Sequence, residues 1–269
     1  MAPTRDATPV SLRAAIRHEE ILHALELKGR VSTSVLESQL GVTAVTIRED
    51  LKHLEQQGRL TRTRGGALAK PGITAEKALE LTSMTNRAEK QAIGAHAASL
   101  IKNGQTVIID VGSSTTALAS AMSTDLHGVV VVTNALNIAM ILESLPGVSV
   151  IVTGGTLRPL QHSLVAPMGT LLLEQLKADV AFLGCNGVDP DRGFTNTNIA
   201  EAEIKQAMLK SANYRVFLAD HEKIGNVASA YVADIESADL LITDTGADPE
   251  ILENLSDLDL EIETVEPIE

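Results

Sequence analysis

The segment Gly41-Val42-Thr43-Ala44-Val45-Thr46-Ile47-Arg48-Glu49-Asp50-Leu51 decides how the first part of the chain folds. Gly41 suits a tight turn, and the Thr43 hydroxyl is suited to accept from the free N–H groups at the start of a helix. We expect this helix to run to about Gln57. With about 100° of rotation per residue, its apolar side consists of Ile47, Leu51 and Leu54. Its opposite side consists of Val45, Arg48, Glu49 and Lys52.

Two further helices are predicted before this segment. The first runs from about Arg13 to Lys28, with Gly29 as a stop signal; its apolar residues are Ile16, Ile21, Leu22 and Leu25. The second begins at Ser34, where Ser34-Val35-Leu36-Glu37 fits a capping box, and ends near Leu40. A short helix, a glycine turn and a long helix together predict a helix-turn-helix.

A candidate hairpin follows the long helix. The segment from Gly58 to Gly66 alternates its side chains between two glycine-containing ends, so a short hairpin presents its arginines outward. The sequence therefore predicts a winged helix-turn-helix domain over residues 1–70, whose partner is double-stranded DNA. Arg48 is suited to a bidentate bond with guanine, Val45 to a thymine methyl group and Lys52 to phosphate. The full set of predicted DNA contacts is Ser34, Thr43, Ala44, Val45, Thr46, Arg48, Lys52, Arg59, Arg62 and Arg64.

The charge distribution agrees with this interpretation. Residues 1–70 carry eleven Lys and Arg against eight Asp and Glu, whereas the remaining residues carry eleven against 27. An acidic chain is repelled by nucleic acid unless its cations are gathered at one place. With no Trp, two Tyr and three Phe, the chain has few rings for stacking on single-stranded bases, which favours duplex DNA over RNA. A charged outer helix face is by itself often only solvated, so the interpretation depends on the conjunction of helices, turn and wing.

Composition excludes several other classes of protein. The single Cys185 cannot form an intrachain disulfide, and His18 and His23 lack the spacing of a zinc pair, so we expect no metal and no cofactor. No apolar run approaches the roughly 20 residues that span a bilayer, and the N-terminus lacks a signal-peptide core. We expect a cytoplasmic protein.

From Val31 to Ala67 the sequence closely resembles the DNA-binding domain of the DeoR family of bacterial regulators of sugar metabolism. The resemblance is carried by Thr46-Ile47-Arg48, Asp50-Leu51, Leu54-Glu55, Gly58, Leu60, Arg62 and Gly65-Gly66-Ala67. Glu49 stands where many members have Arg or Lys, and Arg64 where they commonly have His.

The second part of the chain predicts an α/β domain. A linker of residues 71–86, containing Pro71 and Gly72 and partly helical, leads into a domain of residues 87–269. A helix through Ile93, Ala97 and Ile101 is followed by alternating strand and helix patterns. The predicted strands are Thr106 to Asp110, Val129 to Thr133, Val148 to Thr153, Val180 to Leu183, Arg215 to Ala219 and Leu240 to Thr243. Continuous apolar strands of this kind imply a mostly parallel sheet covered on both faces.

Polar and small residues follow the strands, where open α/β sheets bind ligands. The hydroxyls and N–H groups after Asp110 are suited to holding a phosphate at a helix N-terminus. Individually such residues are more often caps and turns, but together they indicate a small phosphorylated polyol. The predicted effector contacts are Asp110, Gly112, Ser113, Ser114, Thr115, Thr116, Thr133, Asn134, Gly154, Gly155, Asn186, Gly187, Glu201, Lys205, Asp220 and Lys223.

Residues from about Arg87 to Asp244 also resemble the DeoR effector domain, which is similar to ribose-5-phosphate isomerase and related sugar-phosphate folds. The resemblance implies a sugar-phosphate-responsive regulator that represses genes of sugar uptake or catabolism. We expect it to bind its operator as a homodimer or higher homo-oligomer, because two recognition helices must reach successive major grooves.

Two other functions are compatible with the sequence. One is an enzyme, a sugar-phosphate isomerase or related lyase, with an acid/base pair drawn from Asp110, Asp189, Asp191, Glu203 and Lys205. The helix-turn-helix domain counts against it, and Asp189-Pro190-Asp191 also fits a surface turn. The other is an acidic scaffold protein, which requires the polar loops to be chance. Since neither explains the first domain, we expect a regulator without catalytic residues.

Overall fold

The computed structural model describes residues 12–28, 30–69 and 79–268. The chain divides into two compact units, Met1–Lys77 and Ala78–Glu269. Gly29, the predicted stop signal, and residues 71–78 of the predicted linker lie outside the described residues.

The first unit is a winged helix-turn-helix, as the sequence predicted. Its elements are α1 (Leu12–Lys28), β1 (Arg30–Ser32), α2 (Thr33–Leu40), α3 (Ala44–Gln56), β2 (Leu60–Thr63) and β3 (Gly66–Ala69). The strands form an antiparallel sheet in the order β1-β3-β2. Strand β3 lies so close to β1 that a Cβ on Gly66 would come within 1.9 Å of the Val31 carbonyl oxygen. This close approach requires glycine at the base of the wing.

The helix caps differ from the prediction at one position. Ser32, not Ser34, caps α2: its Oγ accepts from the Val35 N–H at 3.3 Å, so the predicted capping box at Ser34 is wrong. The helix starts two residues earlier than expected because β1 ends there and Ser32 retains an extended backbone. The other two signals are confirmed, since Gly41 ends α2 in the left-handed region and Thr43 caps α3.

A small apolar core holds the three helices of this unit together. Ile21 and Leu25 of α1 meet Leu36 of α2 and Ile47 and Leu54 of α3, all buried.

Asp50 adds a polar clamp between α1 and α3. It faces inward, where its carboxylate accepts from Arg17 and hydrogen-bonds His18 Nε2 at 2.9 Å. This acidic residue of α3 is therefore 5% exposed and is directed away from the outer face of the helix.

The second unit is built around a seven-stranded parallel sheet in the order β15-β14-β12-β9-β4-β5-β6. Its strands are β4 (Thr106–Ile109), β5 (Val129–Thr133), β6 (Val148–Val152), β9 (Ala178–Gly184), β12 (Ala212–Leu218), β14 (Leu240–Asp244) and β15 (Glu261–Val265). Six of the seven were predicted within a few residues. The edge strand β15 was not, because its alternating glutamates do not resemble a buried parallel strand.

Helices cover both faces of this sheet, and two apolar clusters lie between the layers. The helices are α4 (Leu79–Met84), α5 (Arg87–Ser99), α6 (Ser113–Ala121), α7 (Leu136–Leu142), α8 (Met168–Leu173), α9 (Ile199–Lys210) and α10 (Pro249–Ser256). Short strands form two additional sheets: the hairpin β7 (Thr156–Arg158) and β8 (Ser163–Val165), and β10 (Gly187–Asp189), β11 (Gly193–Asn196) and β13 (Ala230–Ala233). The predicted α/β class is confirmed.

Helix α4 lies within the predicted linker range but belongs to the second unit. Its first residue donates a backbone hydrogen bond, from Leu79 N to Leu160 O, at 2.9 Å. Glu80 also bonds His162 Nε2 at 2.6 Å. Helix α4 is thus attached to the turn of the β7-β8 hairpin.

Candidate DNA-binding face and effector site

The outer face of α3 carries the predicted base-reading residues in solvent. Val45 is 60% exposed, and Arg48, Glu49 and Lys52 are also exposed. At the start of the helix, Thr43 Oγ1 lies 3.1 Å from Thr46 Oγ1, and the Ala44 N–H donates to Glu37 at 3.0 Å. Helix α2 therefore holds the N-terminal end of α3, and Ser34 is exposed on α2.

The arginines of the wing region lie in different environments. Arg64 is exposed in the β2-β3 turn, and Arg62 is exposed beside Glu55 of α3, with 3.6 Å between Nε and Oε2. Arg59 instead pairs with Glu19 of α1 at 3.2 Å, and its side chain is only 10% exposed. Arg59 therefore stabilises the start of the wing, whereas Arg62 and Arg64 remain exposed.

In the second unit, the loop after Asp110 leads into a helix, as predicted. Gly112 precedes α6, whose first turn contains Ser113, Ser114, Thr115 and Thr116. The hydroxyls of Thr115 and Thr116 donate back to the Gly112 carbonyl, at 3.0 and 2.6 Å. The N–H groups of a first helical turn have no partner inside the helix and attract anions.

The strand preceding this loop ends in a buried ion pair. Asp110 is fully buried, forms an ion pair with Lys205 of α9 and accepts from the Gly184 N–H at 3.2 Å. Burial raises the pKa of the Asp110 carboxyl, although the charge of Lys205 opposes that rise. Its second oxygen, Oδ1, has no hydrogen-bond partner among the described residues. A buried acceptor without a partner is suited to a hydroxyl group of a ligand.

Cys185, directly after β9, lies near four of the predicted effector residues. Its thiol is within electrostatic range of Lys205, Lys223, Asp220 and Asp110. Burial raises the pKa of this thiol to about 12, so it is protonated at neutral pH. The sequence did not single out Cys185 as a member of the site, because a lone cysteine carries no spacing signal.

Glu201, at the start of α9, is the centre of a second polar group. It accepts from Ser163 Oγ at 2.7 Å and from Asn196 Nδ2 at 3.2 Å, and it pairs with Arg158 of the β7-β8 hairpin. These three partners were not predicted, because they lie on short strands outside the main sheet. Their positions could be found only by folding the chain.

Asp220 is connected to α4 and α5 through Lys90. Asp220 lies 3.4 Å from Lys90 Nζ and accepts from Asn86 Nδ2 at 3.2 Å. Lys90 is 4% exposed and donates to the carbonyl oxygens of Thr82 and Thr85, at 2.8 and 2.6 Å. Burial lowers the pKa of Lys90 against the opposing charge of Asp220.

The remaining predicted effector residues lie at the same carboxyl edge of the sheet and have mainly backbone roles. Asn134 Oδ1 accepts from the Val111 N–H at 3.0 Å, and Thr133 Oγ1 accepts from the Ala135 N–H at 3.1 Å. Gly154 and Gly155 follow β6 with positive φ, Asn186 accepts from the Thr197 N–H, and Gly187 starts β10. A cavity of about 630 Å³ opens between α4, α5 and α6; of the predicted effector residues, it is lined by Ser113 and Thr116.

Within the described part of the chain, no three His, Cys, Asp or Glu side chains converge in a way that fits a metal ion. Among residues 12–28, 30–69 and 79–268, no helix has the length and apolarity needed to cross a membrane.

A helix-turn-helix with an exposed cationic face, joined to an α/β unit with buried polar and charged residues at its strand ends, defines a DNA-binding regulator with a sensor domain. Two family models match this chain: the DeoR-like helix-turn-helix domain over residues 17–70 and the DeoR C terminal sensor domain over residues 85–245. The chain belongs to the DeoR family of transcriptional regulators.

Full-length relatives agree. The chain is 34% identical to the HTH-type transcriptional regulator GolR from Listeria innocua serovar 6a, over 93% of this chain and 98% of the relative. It is 29% identical to the glycerol-3-phosphate regulon repressor of Escherichia coli K12, over 92% and 97%. Among solved structures it is similar to ribose 5-phosphate isomerase A from Methanocaldococcus jannaschii, with 16% identity, 52% and 55% coverage and a TM-score of 0.39. A likeness at that level supports no argument about activity.

Proposed function

We propose that this protein represses genes of sugar uptake or catabolism and that a phosphorylated sugar or polyol tunes its affinity for the operator. The observation that carries the proposal is the separation of two sites on one chain. Exposed Arg48 and Lys52 face outward from one unit, while the strand ends of the other unit enclose buried charges. We place the regulator in the cytoplasm, because it acts on chromosomal DNA.

Operator binding uses two kinds of contact. Arg48 and Val45 read base edges in the major groove, whereas Lys52, Arg62 and Arg64 contact the DNA backbone. The hydroxyls at the ends of α2 and α3, on Ser34, Thr43 and Thr46, and the backbone at Ala44 position the helix against phosphate. Arg59 instead stabilises the fold of the wing through its ion pair with Glu19.

Effector binding uses the carboxyl edge of the sheet. The first turn of α6 holds the phosphate, with the hydroxyls of Ser113 and Ser114 beside it. The free Oδ1 of Asp110 accepts a hydroxyl of the effector. The other charged groups around Cys185 and Glu201 bind the remaining hydroxyls.

Two chains of contacts connect this site with α4, the first described element of the second unit. One runs from Glu201 through Arg158 and the β7-β8 hairpin to the bond between His162 and Glu80. The other runs from Asp220 through Lys90 to the carbonyl oxygens at Thr82 and Thr85. We infer that effector binding changes the position of α4, because a ligand shifts an equilibrium only through different contacts in its two states.

The same observations disfavour an enzyme. Glu203 and Asp191 are exposed, and Asp189 accepts from the N–H groups of Asp191 and Arg192 at 3.0 and 2.9 Å, as in a surface turn. The carboxylate of Asp110 is engaged by Lys205. Of the candidate acid/base residues, this leaves no carboxylate pair facing one substrate.

Fluorescence anisotropy with labelled DNA from the protein's own promoter tests the proposal. We expect salt-sensitive, sequence-specific binding that a panel of sugar phosphates alters for at least one member. Ser114→Ala should keep operator affinity and weaken the response, and Ser144→Ala, at an exposed position after α7, should change neither. Absence of specific binding at micromolar protein and low salt would contradict the proposal, as would turnover of a sugar phosphate.

A further inference from the structure

Strand β6 forms an edge of the main sheet and lacks the features that normally keep an edge from pairing. It is the last strand in the order β15-β14-β12-β9-β4-β5-β6, and its residues are Val148-Ser149-Val150-Ile151-Val152. Edge strands usually carry a charge, a proline or a bulge. Strand β6 carries no charge and no proline, and its pairing with β5 is regular. Ser149, Ile151 and Val152 are exposed on it.

The surroundings of this edge are equally poor in charge. Between residues 129 and 173 the sequence has two charged residues, Glu143 and Arg158, in a chain that is 21% charged. Arg158 is engaged by Glu201. The described part of the second unit exposes thirteen large apolar side chains, of which seven lie in this range: Met140, Ile151, Val152, Leu157, Leu160, Met168 and Leu171.

Helix α8 extends the apolar surface beside β6. A Cβ placed on Gly154, just past the end of β6, would lie 3.9 Å from Met168 Cβ. Met168 and Leu171 are one turn apart on α8 and are 58% and 54% exposed. The edge strand and the outer side of α8 therefore form one surface, which we call the β6-α8 surface.

Two outward N–H groups of β6 are also free to pair. The Thr153 N–H donates to Thr133 of β5, and N–H groups alternate between the two sides of a strand. The N–H groups of Val150 and Val152 consequently point away from the sheet, whereas that of Ile151 points toward β5.

We infer that the β6-α8 surface binds the same surface of a second copy of this chain, with the two β6 strands antiparallel about a two-fold axis at Val150. Such pairing is self-complementary: Val150 faces its own copy, Ser149 faces Ile151 and Val148 faces Val152. The net charge of −13 favours this occupant, because two acidic chains repel each other least where both are uncharged. The inference rests on the proposed function only for the need to bring two recognition helices together.

Solution mass, measured without DNA by light scattering after size exclusion, tests the surface independently of regulation. We expect the wild type to have at least twice the 28.5 kDa of one chain. Ser149→Lys/Ile151→Lys should halve the wild-type mass while the far-UV spectrum is retained. Val227→Lys/Ser229→Lys is the matched control, since it places two lysines at the same spacing on exposed positions, and it should keep the wild-type mass. A monomeric wild type, or a folded Ser149→Lys/Ile151→Lys variant of unchanged mass, would overturn the inference.

Amide hydrogen exchange of the wild type gives a second readout that needs no variant. As the protein is concentrated, exchange at the Val150 and Val152 amides should slow at least tenfold, whereas the Ile151 amide, already bonded within the sheet, should change little. Equal exchange of Val150 and Val152 in dilute and concentrated samples would overturn the proposed pairing.

Discussion

Residues of one type have different roles in this protein because they are packed differently. Arg48 and Arg59 both belong to the basic region around α3, the predicted recognition helix. Arg48 is exposed, whereas Arg59 forms an ion pair with Glu19. Asp50, one turn from Ile47, is turned inward by Arg17 and His18. Of the two carboxylates in the first half of α3, only Glu49 is exposed on the outer face of the helix.

Arg48→Ala should weaken operator binding by about 1–3 kcal/mol, because a bidentate contact to a base edge is lost. The loss should be much smaller on unrelated DNA of equal length. Anisotropy titrations on both duplexes measure the difference, and Lys102→Ala, an exposed cation of the second unit, is the control. Unchanged operator affinity for Arg48→Ala would show that another face of the unit reads the DNA.

His221 makes the stability of the second unit depend on pH. Burial alone would lower its pKa, but the hydrogen bond and charge of Asp244, at 2.8 Å, outweigh it, so the pKa of His221 is raised. The stabilisation is therefore full below the unfolded pKa of about 6.5 and is lost as pH rises through the raised folded value. Urea unfolding should show His221→Gln to be more destabilising at pH 6 than at pH 9. Equal destabilisation by His221→Gln at both pH values would show that this pair does not make stability depend on pH.

At the scale of elements, the start of α2 shows how one neighbouring strand changes a helix boundary. Ser34 and Glu37 have the spacing of a capping box, yet β1 ends at Ser32 and leaves that residue extended. The Thr33 N–H also donates to the Gly65 carbonyl oxygen at 2.8 Å, which ties the helix start to the wing turn. Two serines have equal intrinsic capping ability, and the pairing of β1 with the wing makes Ser32 the cap.

Ser32→Ala should lower the free energy of unfolding of the first unit by about 1 kcal/mol, the usual cost of losing an N-cap. Ser34→Ala, two residues away and exposed, should change it by less than about 0.5 kcal/mol. Chemical denaturation followed by circular dichroism compares the two. If Ser34→Ala proved the more destabilising variant, the position of the cap would be wrong.

The contact between α4 and the β7-β8 hairpin also joins two elements, and we propose that the effector response passes through it. Glu80→Gln/His162→Ala should leave both operator affinity and sugar-phosphate affinity within about twofold, since neither residue is in a binding site. It should reduce the effect of the sugar phosphate on operator binding, which passes through α4. Anisotropy and calorimetry on the same preparation separate these quantities, and a full response in the double variant would exclude this route.

At the scale of the whole molecule, charge is divided between the two units. The first 70 residues have a small excess of positive charge, and the remainder has a large excess of negative charge. The acidic remainder is repelled by DNA, so the attraction is confined to the recognition helix and wing. In our proposal, the acidic unit binds an anionic effector through local features, which are the N-terminus of α6 and the lysines around Cys185.

A sugar phosphate that binds the second unit should stabilise that unit and not the first. At a concentration of 100 times Kd, a ligand contributes about 2.7 kcal/mol, which corresponds to about 5–10 °C in Tm for a domain of this size. We expect the two compact units to unfold in separate transitions, so differential scanning calorimetry of the full chain should show one shifted transition. Equal shifts of both transitions would indicate a ligand that does not bind where we propose.

The sequence by itself determined the parts of this protein that depend on local patterns. Helix periodicity, the caps at Gly41 and Thr43, and the apolar strands were sufficient to predict both folds and the order of six sheet strands along the chain. These signals are local because capping and burial act over one or two turns, or over one strand.

The tertiary structure alone decided which distant groups meet. Arg158 reaches Glu201, Lys90 reaches Asp220, Arg59 reaches Glu19, and Ser32 replaces Ser34 as a cap. The edge position of β6 likewise follows from the order of the strands, which the sequence pattern of one strand does not contain. The physical reason is that buried charges and strand edges find partners through packing between elements, and that packing is set by the whole sheet.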